Sequence, residues 1–288
     1  MPESAPAELL LAVIPVPDSG SDTYVNVEKL TSQKGVPFAF GGSILGQSAA
    51  ATSATVPEAF HIYSMESAFL RFCTRTVRAT QGRDSNVYYY TSTISFQRTE
   101  GKSGNVLDYH VSMPHVDGLR PDNISKDKLQ EVMNANVNDM VPLMHTPAKN
   151  KPFEFRPLDV RHGVQPTEFW QRSFVRSPTF ASYNLHLHQA ALAQLSDTYT
   201  LGAALHANPD KVGKHLRNVT MGATLINSVS FHEPTTKVDD WKIAERVTSW
   251  GANGRALVHQ RFWDVQSGRL ILSGKQEVVI RLRDDKEL

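Results

Sequence analysis

One pattern occurs twice in this chain, and it limits the fold more than any other feature. A stretch of small residues, GGSILGQSAAATSATV from Gly41, reads as a helix. Strand-like runs follow it: FHIYSMESAFLR ending at Arg71, and NVYYYTSTISFQ ending at Gln97. A second such helix, LHQAALAQLSDTYTL, runs from Leu187 to Leu201. After it come TMGATLINSVSFHEP, DWKIAERVTSW, RALVHQRFWDV and RLILSGKQEVVIRLR. Alternation and β-branched or aromatic content mark the strands, and EPTTKVDD, GANG and QSG mark the turns. One helix followed by antiparallel strands, twice, suggests a duplicated α+β unit in which a sheet wraps a helix. The small residues are then expected where the sheet comes close. Two unrelated α+β units satisfy the same periodicity.

Residues 113–166 separate the copies. This stretch is polar and proline-containing, with MPHVDGLRPDN and PAKNKP, and reads as a linker with one short helix near SKDKLQEVMNANV. The division is therefore residues 1–112, a linker over 113–166, and residues 167–288. The copies differ in one respect. From Glu58 to Gln81 the first runs without Gly, Pro, Asn or Asp. That is too long for one ordinary strand and has no turn to make two. Either the first sheet is short of a strand, or one bent strand fills both positions. A sheet short of a strand leaves an unpaired edge, which favours self-association.

Composition removes several function classes. Thirty basic residues against twenty-nine acidic ones, scattered along 288 residues, do not make the basic stripe of a nucleic-acid binder. The early apolar run LLLAVIPV is short, has no basic flank and contains Pro15, so neither a secretory signal nor a membrane span is expected. The ending DDKEL matches neither a retention nor a peroxisomal signal at the required positions. The single cysteine, Cys73, allows no intramolecular disulfide and no multi-cysteine zinc site. A cytoplasmic or peroxisomal protein is expected.

Catalytic motifs are scarce. GGSILG resembles a nucleophile elbow, but Leu45 stands where the second glycine of G-x-S-x-G belongs. GKSG at Gly101 lacks the upstream glycine of a phosphate loop. His186 and His188 are two apart and cannot share a face, so no metal pair forms there. Three polar residues in apolar surroundings remain: Asp197 in the second helix, Thr224 in GATLINSVSF and Gln276 in SGKQEVVIRL. A carboxylate in a core-facing helix is costly unless it is hydrogen-bonded or faces a cavity. An acceptor, a hydroxyl and an amide together can bind and polarise one water.

At this point the chain resembles the acyl-CoA thioesterase II family, from about Leu9 to Arg283. The resemblance rests on FGGSILGQSA from Phe40, FLR at Phe69 to Arg71, STISFQ ending at Gln97, MPHVDGL from Met113 and RPLDVR from Arg156. It continues with His188-Gln189 and Ser196-Asp197, ATLINSVSFH from Ala223 and KQEVVIR from Lys275. It implies two tandem hotdog domains, each an antiparallel sheet wrapped around a long helix. It implies hydrolysis of acyl-CoA to a free acid and coenzyme A, with Asp197, Thr224 and Gln276 orienting the attacking water. No metal or other cofactor is implied, and acyl-CoA is the expected partner. Another acyl-thioester reaction on the same fold, or a catalytically weak acyl-CoA-binding paralogue, are the alternatives. This chain also departs from the family pattern. The family's IDHS is Ile226-Asn227-Ser228 after Leu225, Glu233 replaces an arginine, and the segment after FLR is shorter by about one turn and one strand.

Overall fold

The computed structural model describes residues 6–17, 23–28, 39–70, 89–98, 107–116, 118, 120–124, 152–178 and 180–283. Five helices are described: α1 (Pro6–Leu11), α2 (Gly41–Ser53), α3 (Leu185–Asp197), α4 (Thr200–His206) and α5 (Pro209–Val212). Strands β1 (Val13–Pro15) and β2 (Tyr24–Asn26) form a small hairpin. The remaining strands are β3 (Phe60–Phe69), β4 (Tyr90–Arg98), β5 (Glu154–Arg161), β6 (Trp170–Arg176), β7 (Val219–Phe231), β8 (Lys242–Ala252), β9 (Arg255–Asp264) and β10 (Leu270–Leu282). These eight make one antiparallel sheet in the order β4-β3-β7-β10-β9-β8-β6-β5.

The two copies are joined through that sheet. β3 of the first pairs with β7 of the second, with Met65 opposite Val229 and Ser67 opposite Asn227. The main core lies on its inner face. There Ile62, Met65, Val229, Phe231 and Leu272 pack with Ile44, Leu45 and Ala49 of α2 and with Ala190, Leu192 and Leu195 of α3.

The small residues of the helices serve a different contact from the one expected. α2 and α3 lie against each other, running in opposite directions. A Cβ added at Gly42 would sit 2.7 Å from the Gln194 carbonyl oxygen, and one at Gly46 would sit 3.1 Å from that of Ala190. The glycines, four apart on one helix face, therefore let two backbones approach, and the neighbour that demands them is a helix rather than the sheet. Gly42→Val is expected to cost at least about 2 kcal/mol through overpacking. A urea titration checks it: the midpoint should fall with the slope unchanged. A midpoint equal to the wild type's would mean that the helices do not meet there.

Two expectations about element boundaries change. The stretch read as one helix through Leu201 breaks after Asp197. Thr198 is extended (ψ 121°) and Tyr199 turns left-handed (φ 60°) before α4 begins. Asp197 is thus the last residue of α3, not a mid-helix acid. Residues 154–161, inside the segment read as linker, form β5, and Pro157 within it hides the strand in the sequence. Pro is tolerated there because, among the described residues, β5 is the last strand of the sheet. The β5–β6 hairpin precedes α3 as β1–β2 precedes α2. The short helix expected near 125–137 and the question of a missing strand after Leu70 lie outside the described residues.

Candidate active site

The three polar residues singled out in the sequence meet around one carboxylate oxygen. Thr224 Oγ1 donates to Asp197 Oδ1 at 2.7 Å, and Gln276 Nε2 donates to the same oxygen at 2.6 Å. Gln276 Nε2 also lies 2.5 Å from Thr224 Oγ1. Asp197 is 6% exposed and Gln276 is fully buried.

Each side chain arrives there for a local reason. Asp197 is carried by the last turn of α3. Gln260 Nε2 holds that turn through the Ser196 carbonyl (2.8 Å), and Arg246 Nη2 holds it through the Thr198 carbonyl (2.9 Å). Arg246 is fully buried, and its guanidinium offsets the partial negative charge of the helix end. Desolvation brings its pKa down to about 10, so it remains a cation at neutral pH. Gln276 lies on β10 and faces inward opposite Asn227. Thr224 is three residues before Asn227, and in a regular strand the two would point to opposite faces. The β7–β10 register shifts at this point: Glu277 faces Ile226 but Val278 faces Thr224, so Leu225 is an extra residue. That bulge turns Thr224 to the inner face.

The first copy closes the site. The Gly42 N–H at the start of α2 donates to the Asp197 carboxylate. A Cβ at Gly41 would come 2.9 Å from Asp197 Oδ2 and 3.2 Å from the Phe69 ring, so the approach needs glycine. Burial pushes the Asp197 pKa up, and the hydrogen bonds from Thr224, Gln276 and Gly42 oppose the rise. An acid held this way is poised to take up a proton.

Of the two departures in IDHS, only one touches this site. Ile226 is 43% exposed on the outer face, while Asn227 is fully buried on the inner one. Arg246, Gln260 and Gly41 went unrecognised in the sequence. Arg246 and Gln260 stood in runs read only as strands and Gly41 in the FGGSILGQSA stretch, and none had a spacing that tied it to Asp197. Among the described residues no group of three His, Cys, Asp or Glu side chains is placed to hold a metal ion.

The match to known proteins follows the same outline. Acyl-coenzyme A thioesterase 8 of Mus musculus is 27% identical over 270 residues, covering 85% of this chain and 80% of its own. The tesB protein of Mycobacterium avium subs paratuberculosis superposes with a TM-score of 0.69 at 18% identity, over 95% of this chain and 98% of that one. Acyl-CoA thioesterase II TesB2 from Mycobacterium marinum gives 0.67 at 18% identity, over 96% and 99%. These two structures confirm the expected double hotdog architecture. The family model described as the acyl-CoA thioesterase C-terminal domain matches residues 137–280, half of the chain and the half that carries Asp197, Thr224 and Gln276. By that match the chain belongs to the TesB-like acyl-CoA thioesterase family.

Proposed function

We propose that this protein hydrolyses acyl-CoA thioesters with a water activated by Asp197 and positioned by Thr224 and Gln276. The observation that carries the reading is the convergence of Thr224 and Gln276 on Asp197 Oδ1. Asp197 takes a proton from the water as its oxygen attacks the thioester carbonyl carbon. The N-terminus of α2, whose partial positive charge lies beside Asp197, stabilises the negative charge that develops on the carbonyl oxygen. Collapse of the tetrahedral intermediate breaks the C–S bond. The proton passes to the departing thiolate, leaving a carboxylic acid and coenzyme A. The three polar residues come from the second copy and the α2 end from the first, so neither copy alone holds a complete site.

The position of Ile226 argues against the catalytically weak paralogue. The change there replaces an outward-facing residue and leaves the Asp197 cluster intact. Within the described residues no helix is long and apolar enough to cross a membrane. A cytoplasmic or peroxisomal setting, no nucleic-acid partner, and self-association through sheet edges complete the reading.

A thiol-release assay on acyl-CoAs from acetyl to palmitoyl tests it. Release well above the uncatalysed rate is expected for at least one chain length. A flat response across the panel, with the protein folded, would refute the hydrolase.

A further inference from the structure

A row of polar side chains crosses the inner face of the sheet beside the catalytic amide. Gln276 of β10 lies opposite Asn227 of β7. Asn227 lies opposite Ser67 of β3, and Ser67 opposite Ser92 of β4. Directly opposed residues on antiparallel strands share a face and sit about 5 Å apart at Cβ. The far end of the row is satisfied: Ser67 Oγ lies 2.9 Å from both the Tyr90 hydroxyl and Ser92 Oγ. Asn227 is not. It is fully buried, and neither its Nδ2 nor its Oδ1 has a partner. Gln276 Oε1, on its neighbour, is also buried without a partner. Two amides side by side thus present one unused donor function and two unused acceptors next to the carboxylate that activates water.

A buried amide left unpaired is costly, and such groups are retained in native proteins where something fills them. An unsubstituted hydrocarbon acyl chain would not: it would strip the amide of water and offer nothing in return. A hydroxyl both donates and accepts, as Asn227 does. We propose that Asn227 is a specificity-determining residue that selects acyl-CoA substrates whose acyl group carries a hydroxyl within a few bonds of the thioester carbonyl. The substrate class rests on the thioesterase reading above. Asn227 is one strand removed from Gln276, so the group it meets lies next to the reacting carbonyl and not at the end of a long chain. Phe69 and Tyr90, in ring contact at 5.1 Å, lie two residues along from Ser67 and Ser92 on the same face of β3 and β4. Sites that hydrogen-bond a substrate hydroxyl discriminate strongly against analogues lacking it, because the protein's own groups are then left unpaired.

The test compares hexanoyl-CoA with its 2-hydroxy and 3-hydroxy derivatives. In the wild type, kcat/KM for one hydroxylated substrate should exceed that for hexanoyl-CoA at least about tenfold. In Asn227→Leu, of similar volume, that ratio should fall to about one or below. A wild-type ratio near one for both derivatives, or a ratio unchanged in the variant, overturns the proposal. Asn227→Val provides the same comparison if the leucine variant does not fold. A second readout does not depend on turnover: calorimetric binding of hexyl-CoA and 3-hydroxyhexyl-CoA thioethers, which cannot be hydrolysed. If no thioester is cleaved, the thioesterase reading fails. The thioether pair still decides Asn227, equal affinities counting against it and a tenfold preference lost in the variant supporting it.

Discussion

Asp197→Asn is expected to lower kcat at least about a hundredfold, the range general-base groups usually contribute. The substitution keeps the size and the Oδ1 acceptor that Thr224 and Gln276 address, but it removes the group that takes the proton. Circular dichroism and the melting transition should show a folded protein, so the loss reads as chemistry. The same carboxylate sets the acid limb of the wild-type pH profile. Only the ionised form accepts a proton, and burial raises the Asp197 pKa above that of an exposed aspartate. The kcat/KM of the wild type should therefore fall as pH drops through a value above the ordinary aspartate range. The residual activity of the variant should lack that limb. A variant that keeps most of its kcat would make Asp197 structural and would undo the site.

Gln276→Ala is expected to reduce kcat more than it raises KM, by about tenfold to a hundredfold. Its amide donates to Asp197 and lies against Thr224, so removing it frees both partners to turn. Groups that fix the position of an attacking water act on the transition state, and grip on the coenzyme A moiety should change little. Thr224→Ala removes the other donor to Asp197 Oδ1 and should have a smaller effect of the same kind. The double variant is the sharper measurement. If the two residues serve one water through one carboxylate, the second substitution costs much less than it does alone. Losses that multiply in full would mean separate tasks and would sink the shared-water reading.

The alternating strands after each small-residue helix made the duplicated α+β plan legible, because period-two patterning records which face is buried. β7 to β10 fall where the runs TMGATLINSVSFHEP, DWKIAERVTSW, RALVHQRFWDV and RLILSGKQEVVIRLR were read. β5 was missed because Pro157 and four charged residues look like a connection, and its place at the edge of the described sheet makes them acceptable. The residue types of the site were visible as polar groups in apolar surroundings, and the family motifs supplied their roles. Their convergence was not visible. Thr224 and Asn227 share a face only because Leu225 is an extra residue against β10, and a bulge is a property of strand pairing rather than of one strand. Asp197 ends its helix because Arg246 and Gln260, about 50 and 60 residues further on, hold the carbonyls around it. The glycines of α2 face a second helix, and local composition does not say which neighbour a small residue admits. The sequence by itself determined the elements and the chemical groups, through local periodicity and residue type. The tertiary structure alone decided which groups meet, because long-range pairing and close backbone approach depend on partners far away in the chain.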